Sequence, residues 1–140
     1  MKFWINCLSK NHVLAGVEGG FTQVGSGKAD PMRRLAPGDI VVLYSEGTLF
    51  RGGQRLQSFT AIGRVAAGDP FQVQVSPGVI AWRRRIEYLD AEEASILPLV
   101  PSLAFIPDKA QWAASLRTGL FSIGEADGAA IAAAMKAVLS

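Results

Sequence analysis

Cys7 and His12 are the only cysteine and the only histidine in the chain. A thiolate–imidazole nucleophile needs a third group to orient the base, and no such group is recognisable in the sequence. Cys7 reads instead as a small core residue and His12 as a polar group at a helix start. With one cysteine there is no internal disulfide, and one Cys plus one His cannot build a zinc cluster. The acidic residues lack calcium-loop spacing, and the adjacent Glu92 and Glu93 read as solvated surface. Gly25-Ser26-Gly27-Lys28 fails as a phosphate loop, because Thr22 and Ala29 stand where that motif needs Gly and Ser or Thr. It fails as a dinucleotide fingerprint because Asp30 takes the place of the third glycine. No Gly-x-Ser-x-Gly elbow, metalloprotease helix or paired-carboxylate motif is present. The expected class is therefore a binding module, not an enzyme, with no cofactor and no metal.

The residues left to recognise a ligand are aromatic and basic. From Lys28 to Arg85 there are nine basic residues against four acidic, a surplus of five; the remainder holds five basic against eight acidic, a deficit of three. A basic middle suits contact with phosphates, within an overall net charge of only +2. Trp82 precedes Arg83, Arg84 and Arg85, a grouping that suits a base stacked beside its phosphate or, equally, an Arg–Trp surface stack. Trp4 and Asn6 share one face of a strand. Core packing and a pocket wall are even readings for Trp4, whereas a buried Asn6 points to a polar role. Tyr44 and Ser45 end a strand, where side chains can line an opening. Gln23 and Lys28 come from a shaped loop. Phe59, Phe105, Trp112 and Phe121 sit in apolar patterns and read as core.

These side chains need elements to hold them. The 140 residues, 49% of them apolar, suffice for one core, so one domain over 1–140 is expected with both termini in the fold. Phe3–Leu8 alternates as a strand buried on both faces. Ser9 can N-cap a short helix carrying Val13, Leu14 and Val17, ended by Gly19-Gly20. Phe21–Leu35 lacks a period and carries loop signals, and long loops in compact domains are usually functional. Ile40–Ser45, Leu56–Val65, Phe71–Val75 and Ala81–Leu89 read as strands, the turns between them short enough to make neighbours antiparallel. Helix-like segments near 99–105 and 108–116, a strand at 120–123 and a closing helix with Ile131, Met135 and Val138 complete an α+β barrel pattern. No apolar run reaches membrane-spanning length and no signal-peptide core opens the chain, so a cytoplasmic protein is expected.

Taken in order, Phe3-Trp4-Ile5-Asn6, Ser9 to Val13, Gly19 to Gln23, Gly27-Lys28, Gly38-Asp39, Tyr44-Ser45, Leu56 to Val65, Pro70 to Gln72, Trp82-Arg83-Arg84, Phe105-Ile106 and Gly119 to Ile123 resemble the EVE domain family from Met1 to about Met135. The resemblance implies a PUA-like small mixed β-barrel of about five to six strands with peripheral helices, similar in fold to YTH domains. It implies a reader of a modified nucleobase in DNA or RNA, such as methylcytosine, taken out of its stack into an aromatic pocket. Its residues here would be Trp4, Asn6, Ser9, Phe21, Gln23, Tyr44, Ser45 and Trp82, with Lys28, Arg83 and Arg84 toward phosphate. Phe21 takes the place that resembles a cage aromatic of YTH domains. Ser26 stands where the family usually has His, which offers a hydroxyl but no ring. A free nucleoside-like or aromatic metabolite is the alternative ligand. A protein partner is compatible with a module of this kind.

Overall fold

A computed structural model describes residues 1–139. Eight strands and three α-helices follow the order β1 (Phe3–Cys7), α1 (Lys10–Gly19), β2 (Phe21–Thr22), α2 (Ala29–Arg34), β3 (Ile40–Gly47), β4 (Arg55–Val65), β5 (Phe71–Ser76), β6 (Val79–Tyr88), β7 (Ala94–Ser95), β8 (Leu120–Ile123) and α3 (Glu125–Ala134). Two 3-10 segments, Leu97–Ser102 and Lys109–Leu116, lie between β7 and β8. The sheet runs β2-β6-β4-β3-β1-β8, with β5 added to β6 and β7 to β4. This is the curled, barrel-like α+β arrangement that the sequence pattern implies.

The sheet has an apolar layer on each face because β1 and β3 are apolar on both sides. Phe3, Ile5, Ile40, Val42, Tyr44, Phe59 and Ile62 pack on one face under α3 and the 3-10 segments. Trp4, Val41, Leu43, Ala61 and Val65 fill the other face with Val13 of α1 and Met32 of α2. α3 lies close on β1 because Gly128 carries no Cβ; one added there would stand 2.2 Å from the Phe3 ring. Asp127, in the first turn of α3, is buried and accepts hydrogen bonds from the backbone N–H groups of Ala104 and Phe105, each 2.8 Å. It thereby ties the 3-10 region to the helix.

Three local expectations are corrected, and one pairing was not anticipated. The segment after β2 is not wholly loop, since Ala29–Arg34 forms α2; Asp30-Pro31 falls in its first turn, where a proline costs no intrahelical hydrogen bond. The short turns do not make every consecutive pair of strands neighbours, because β4 pairs with β6 and β5 pairs only with β6. β1 and β3 are parallel, with α1 and α2 between them in the chain. Of the apolar positions assigned to helix faces, Leu14, Val17 and Val138 are exposed, while Val13, Ile131 and Met135 are buried.

Candidate functional site

Parallel pairing of β1 and β3 brings their carboxyl-terminal ends side by side, Cys7 opposite Tyr44. The Leu8 N–H donates to the Tyr44 carbonyl at 3.0 Å, and past that bond the chains diverge. A cleft of about 860 Å³ opens there, within the range of small-molecule sites. Its floor is Cys7 and Tyr44, one wall is Ser9, His12 and Ser26, and the other is the β3–β4 loop from Gly47 to Arg55.

That loop is built by local bonds. The Thr48 N–H donates to the Gln54 carbonyl and the Gln54 N–H to Thr48 Oγ1, both at 2.9 Å. Gly52 and Gly53 take the left-handed conformation, φ 77 and 73, which closes the turn without strain. The Asn11 N–H at the start of α1 donates to the Thr48 carbonyl at 3.0 Å and holds the loop against the helix. Leu49 and Phe50 are left exposed over the cleft, Phe50 at 76%. Arg51 stacks over Phe50 at 5.4 Å from the ring centroid, and Arg55 lines the cleft at the base of the loop.

The strands below are irregular where they meet this cleft. The β3–β4 register shifts between Leu43 and Tyr44 and again between Ser45 and Gly47. Gln57 opposite them has φ 48, a conformation uncommon for a non-glycine residue. Tyr44 Oη donates to Glu46 Oε2 at 2.9 Å, and Gln57 Nε2 donates to Glu46 Oε1 at 3.3 Å. The result is an anchored carboxylate at the edge of the cleft. Burial, reinforced by the negative charge of Glu46, pushes the Cys7 thiol up from 9.0 to about 12, and burial together with the same carboxylate raises the Tyr44 phenol. Both stay protonated at neutral pH, so Cys7 is not a thiolate nucleophile there.

The residues singled out from sequence are distributed over four places. Ser9 and Tyr44 line the cleft; Ser9 Oγ donates to Asn11 Oδ1 at 2.6 Å and lies 3.3 Å from His12 Nδ1, giving no side-chain cap to α1. Trp4, Asn6, Ser45 and Arg84 lie inside the barrel. The Trp4 ring is core, its Nε1 donating to Asp39 Oδ2 at 2.9 Å. Ser45 shares a 2.8 Å hydrogen bond with Thr60. Asn6 Nδ2 donates to Thr22 Oγ1 at 3.1 Å and to the Gln23 carbonyl at 3.0 Å. It thus ties the loop that leads to Ser26 onto β1.

Arg84, cross-strand from Thr22, is only 4% exposed, so it is an interior group and not part of a phosphate-facing rim. Its Nε and the Asn6 Oδ1 have no hydrogen-bond partner among the described residues. Phe21, Gln23 and Arg83 sit on the outer face of β2 and β6. The Arg83 guanidinium stacks 3.8 Å over Phe21 and its Nε donates to Gln23 Oε1 at 2.8 Å, so Phe21 stacks on a protein cation away from the cleft. Trp82 carries Arg33 of α2 at 5.3 Å from its ring, and Lys28 is exposed just before that helix. The Trp82 N–H donates to the Gly27 carbonyl at 2.9 Å, which joins this basic–aromatic surface to the Ser26 wall.

Phe50, Arg51, Arg55 and Glu46 were given no site role from the sequence, and Gln57 stood between core and pocket. An aromatic and two arginines in a glycine-rich segment between strands was the available signal.

The model of the EVE domain family matches residues 2–134. The chain belongs to the EVE domain family. This EVE domain is 44% identical over 135 residues to a UPF0310 protein of Mycobacterium avium, covering 96% of this chain and 98% of the relative. It is 45% identical over 135 residues to a UPF0310 protein of Mycolicibacterium vanbaalenii, covering 96% and 93%. Among solved structures, the fold of the YTH domain of mmi1, determined as a complex with RNA, superposes with a TM-score of 0.64 at 8% identity, over 96% of this chain and 80% of that one. An Agrobacterium tumefaciens protein superposes with a TM-score of 0.57 at 16% identity, over 94% and 90%. At these identities the likeness shows a shared fold. Among the described residues no group of His, Cys, Asp or Glu could hold a metal ion, and no helix is long and apolar enough to cross a membrane.

Proposed function

We propose that this EVE domain is a non-catalytic cytoplasmic reader of a modified base in DNA or RNA, held unstacked in the cleft at the ends of β1 and β3. The observation that carries the reading is the composition of that cleft. An exposed Phe50, with Arg51 over one side of its ring, offers its other side for stacking, hydroxyls and an anchored carboxylate offer hydrogen bonds to a base edge, and Arg55 lines the cleft where a phosphate would run. Membership of the EVE family and a YTH-like fold support the same reading. The protonated Cys7 thiol and the absence of a recognisable nucleophile–base arrangement favour binding without reaction.

The test is fluorescence anisotropy with short oligonucleotides carrying 5-methylcytosine, 5-hydroxymethylcytosine or N6-methyladenine, against unmodified controls. Phe50→Ala is expected to weaken the best oligonucleotide about tenfold or more, the value of one base–aromatic stack. Arg55→Ala is expected to weaken all oligonucleotides alike and lower the salt slope by about one. Equal, weak binding of modified and unmodified strands overturns the reader. Free nucleosides binding as tightly as the strands would make the ligand a small metabolite instead.

A further inference from the structure

Glu46 is the one carboxylate on the cleft among the described residues, and the sheet is distorted around it. One register shift on β3 precedes Tyr44 and a second falls at Glu46, between Ser45 and Gly47, and the left-handed Gln57 faces them on β4. Bulges and strained non-glycine backbone concentrate where a side chain has to be aimed. Here they bring the Tyr44 hydroxyl onto one carboxylate oxygen and the Gln57 carboxamide onto the other, at 2.9 and 3.3 Å. A carboxylate has about four lone-pair positions and two oxygens, so this engagement fixes its direction and leaves acceptor capacity on both atoms. No cation competes for it: Arg55 lines the same cleft, yet Glu46 forms no ion pair among the described residues.

We infer that Glu46 is a specificity-determining acceptor, selecting base edges that carry an exocyclic amino group over edges that present a carbonyl in that place. The inference rests on the base-reading role proposed above and names the class of base. An amino N–H of cytosine, adenine or guanine can donate to the fixed carboxylate, as acidic side chains accept from cytosine N4 in groove recognition. The 4-carbonyl of thymine or uracil brings a partial negative charge against it, with no proton between the two oxygens, and the desolvated carboxylate loses water without replacement. Ser9 and Ser26 hydroxyls can rotate to donate or accept, so they do not discriminate in this way. Tyr44 and Gln57 are positioning residues that act through Glu46.

The experiment compares one single-stranded oligonucleotide context with cytosine, 5-methylcytosine, adenine, thymine or 5-hydroxymethyluracil at the central position, bound to wild type and to Glu46→Gln. Glu46 is exposed, so the substitution leaves the fold intact, which circular dichroism checks. Wild type is expected to bind the amino-bearing centres about tenfold more tightly than the carbonyl-bearing ones, the low end of a single good base contact. Glu46→Gln is expected to bring that ratio to about one, since a carboxamide can turn an N–H toward a carbonyl. A ratio near one in wild type, or the same ratio in both proteins, overturns the inference while leaving base reading in place. Failure of every oligonucleotide to bind wild type overturns the base reading and the selectivity with it.

Discussion

Asp39→Asn tests whether the Trp4 side is structural scaffolding behind the cleft. The Asp39 carboxylate is 4% exposed. Its Oδ1 accepts from the Lys2 N–H at 3.0 Å, and its Oδ2 accepts from Trp4 Nε1 at 2.9 Å and from the Ala36 N–H at 3.0 Å. One side chain thus fastens the start of β1, the indole and the turn before β3. Asparagine has a single acceptor oxygen. In its better orientation that oxygen keeps Trp4 and Ala36, and the NH2 group faces the Lys2 N–H. One bond to a charged group is lost and two become neutral, an effect of about 2 kcal/mol. For a domain of this size that lowers Tm by roughly 6 °C.

The pH dependence makes the test sharper. Burial raises the Asp39 carboxyl, but the hydrogen bonds from Lys2, Ala36 and Trp4 and the N-terminal charge outweigh it, so its pKa lies below 3.8. The contribution is therefore fully present above pH 3.8 and fades as pH falls through the lower folded value. Urea titrations at pH 7, 5, 4 and 3, followed by circular dichroism, should show a gap between wild type and variant that is constant down to about pH 4 and then narrows. Equal stability at pH 7, or a gap that does not close in acid, refutes the assignment. Oligonucleotide binding at 10 °C should be unchanged, because Trp4 lies outside the cleft.

Two further substitutions or modifications probe the cleft. Native Cys7 should react with iodoacetamide at pH 8 on the order of a thousandfold more slowly than in urea, since raising the thiol from 9.0 to about 12 removes that much thiolate; reaction at the unfolded rate refutes its burial. In the same way, stability owed to this thiol is intact below pH 9 and declines as pH rises toward 12. Asn6→Asp keeps the volume but cannot donate to the Gln23 carbonyl, so a loss of about 2 kcal/mol is expected by thermal melt, together with weaker oligonucleotide binding as the loop to Ser26 loses its tether. Unchanged melting and binding would show that Asn6 does not position that loop.

The strands and the α+β class were legible because Ile40–Ser45, Leu56–Val65 and Phe71–Val75 alternate or run apolar at strand length, and side-chain period is a local property. The pairing of β1 with β3 was not legible. Parallel registers are decided by which apolar faces meet after α1 and α2 cross over, and nothing in Phe3–Cys7 names its neighbour. Helix α2 was hidden because Asp30-Pro31 is as good an opening to a helix as it is a turn. Of the residues singled out for a ligand, only Ser9 and Tyr44 line the cleft. Phe21 and Trp82 look like stacking platforms in sequence, and they are platforms, for Arg83 and Arg33. A cation–aromatic pair within the chain and an aromatic–base pair with a ligand call for the same residues, so composition alone does not separate them.

The distortions of β3 and β4 explain why the cleft lies where it does. Regular antiparallel pairing to the ends of both strands would continue the apolar layer past Tyr44 and bring the connecting turn down onto it. Each register shift interrupts the regular ladder and adds local twist at the end of β3. The Gly47–Arg55 loop then stands beside α1, where Asn11 holds it, and does not close over β1. Tyr44 is consequently both the last core residue of one sheet face and the floor of an open site, with its hydroxyl turned to Glu46. The same irregular pairing that interrupts the hydrogen-bond ladder accompanies the open volume, the exposed Phe50 and the aimed carboxylate, so the barrel carries a cleft at this end while its core below Tyr44 stays buried.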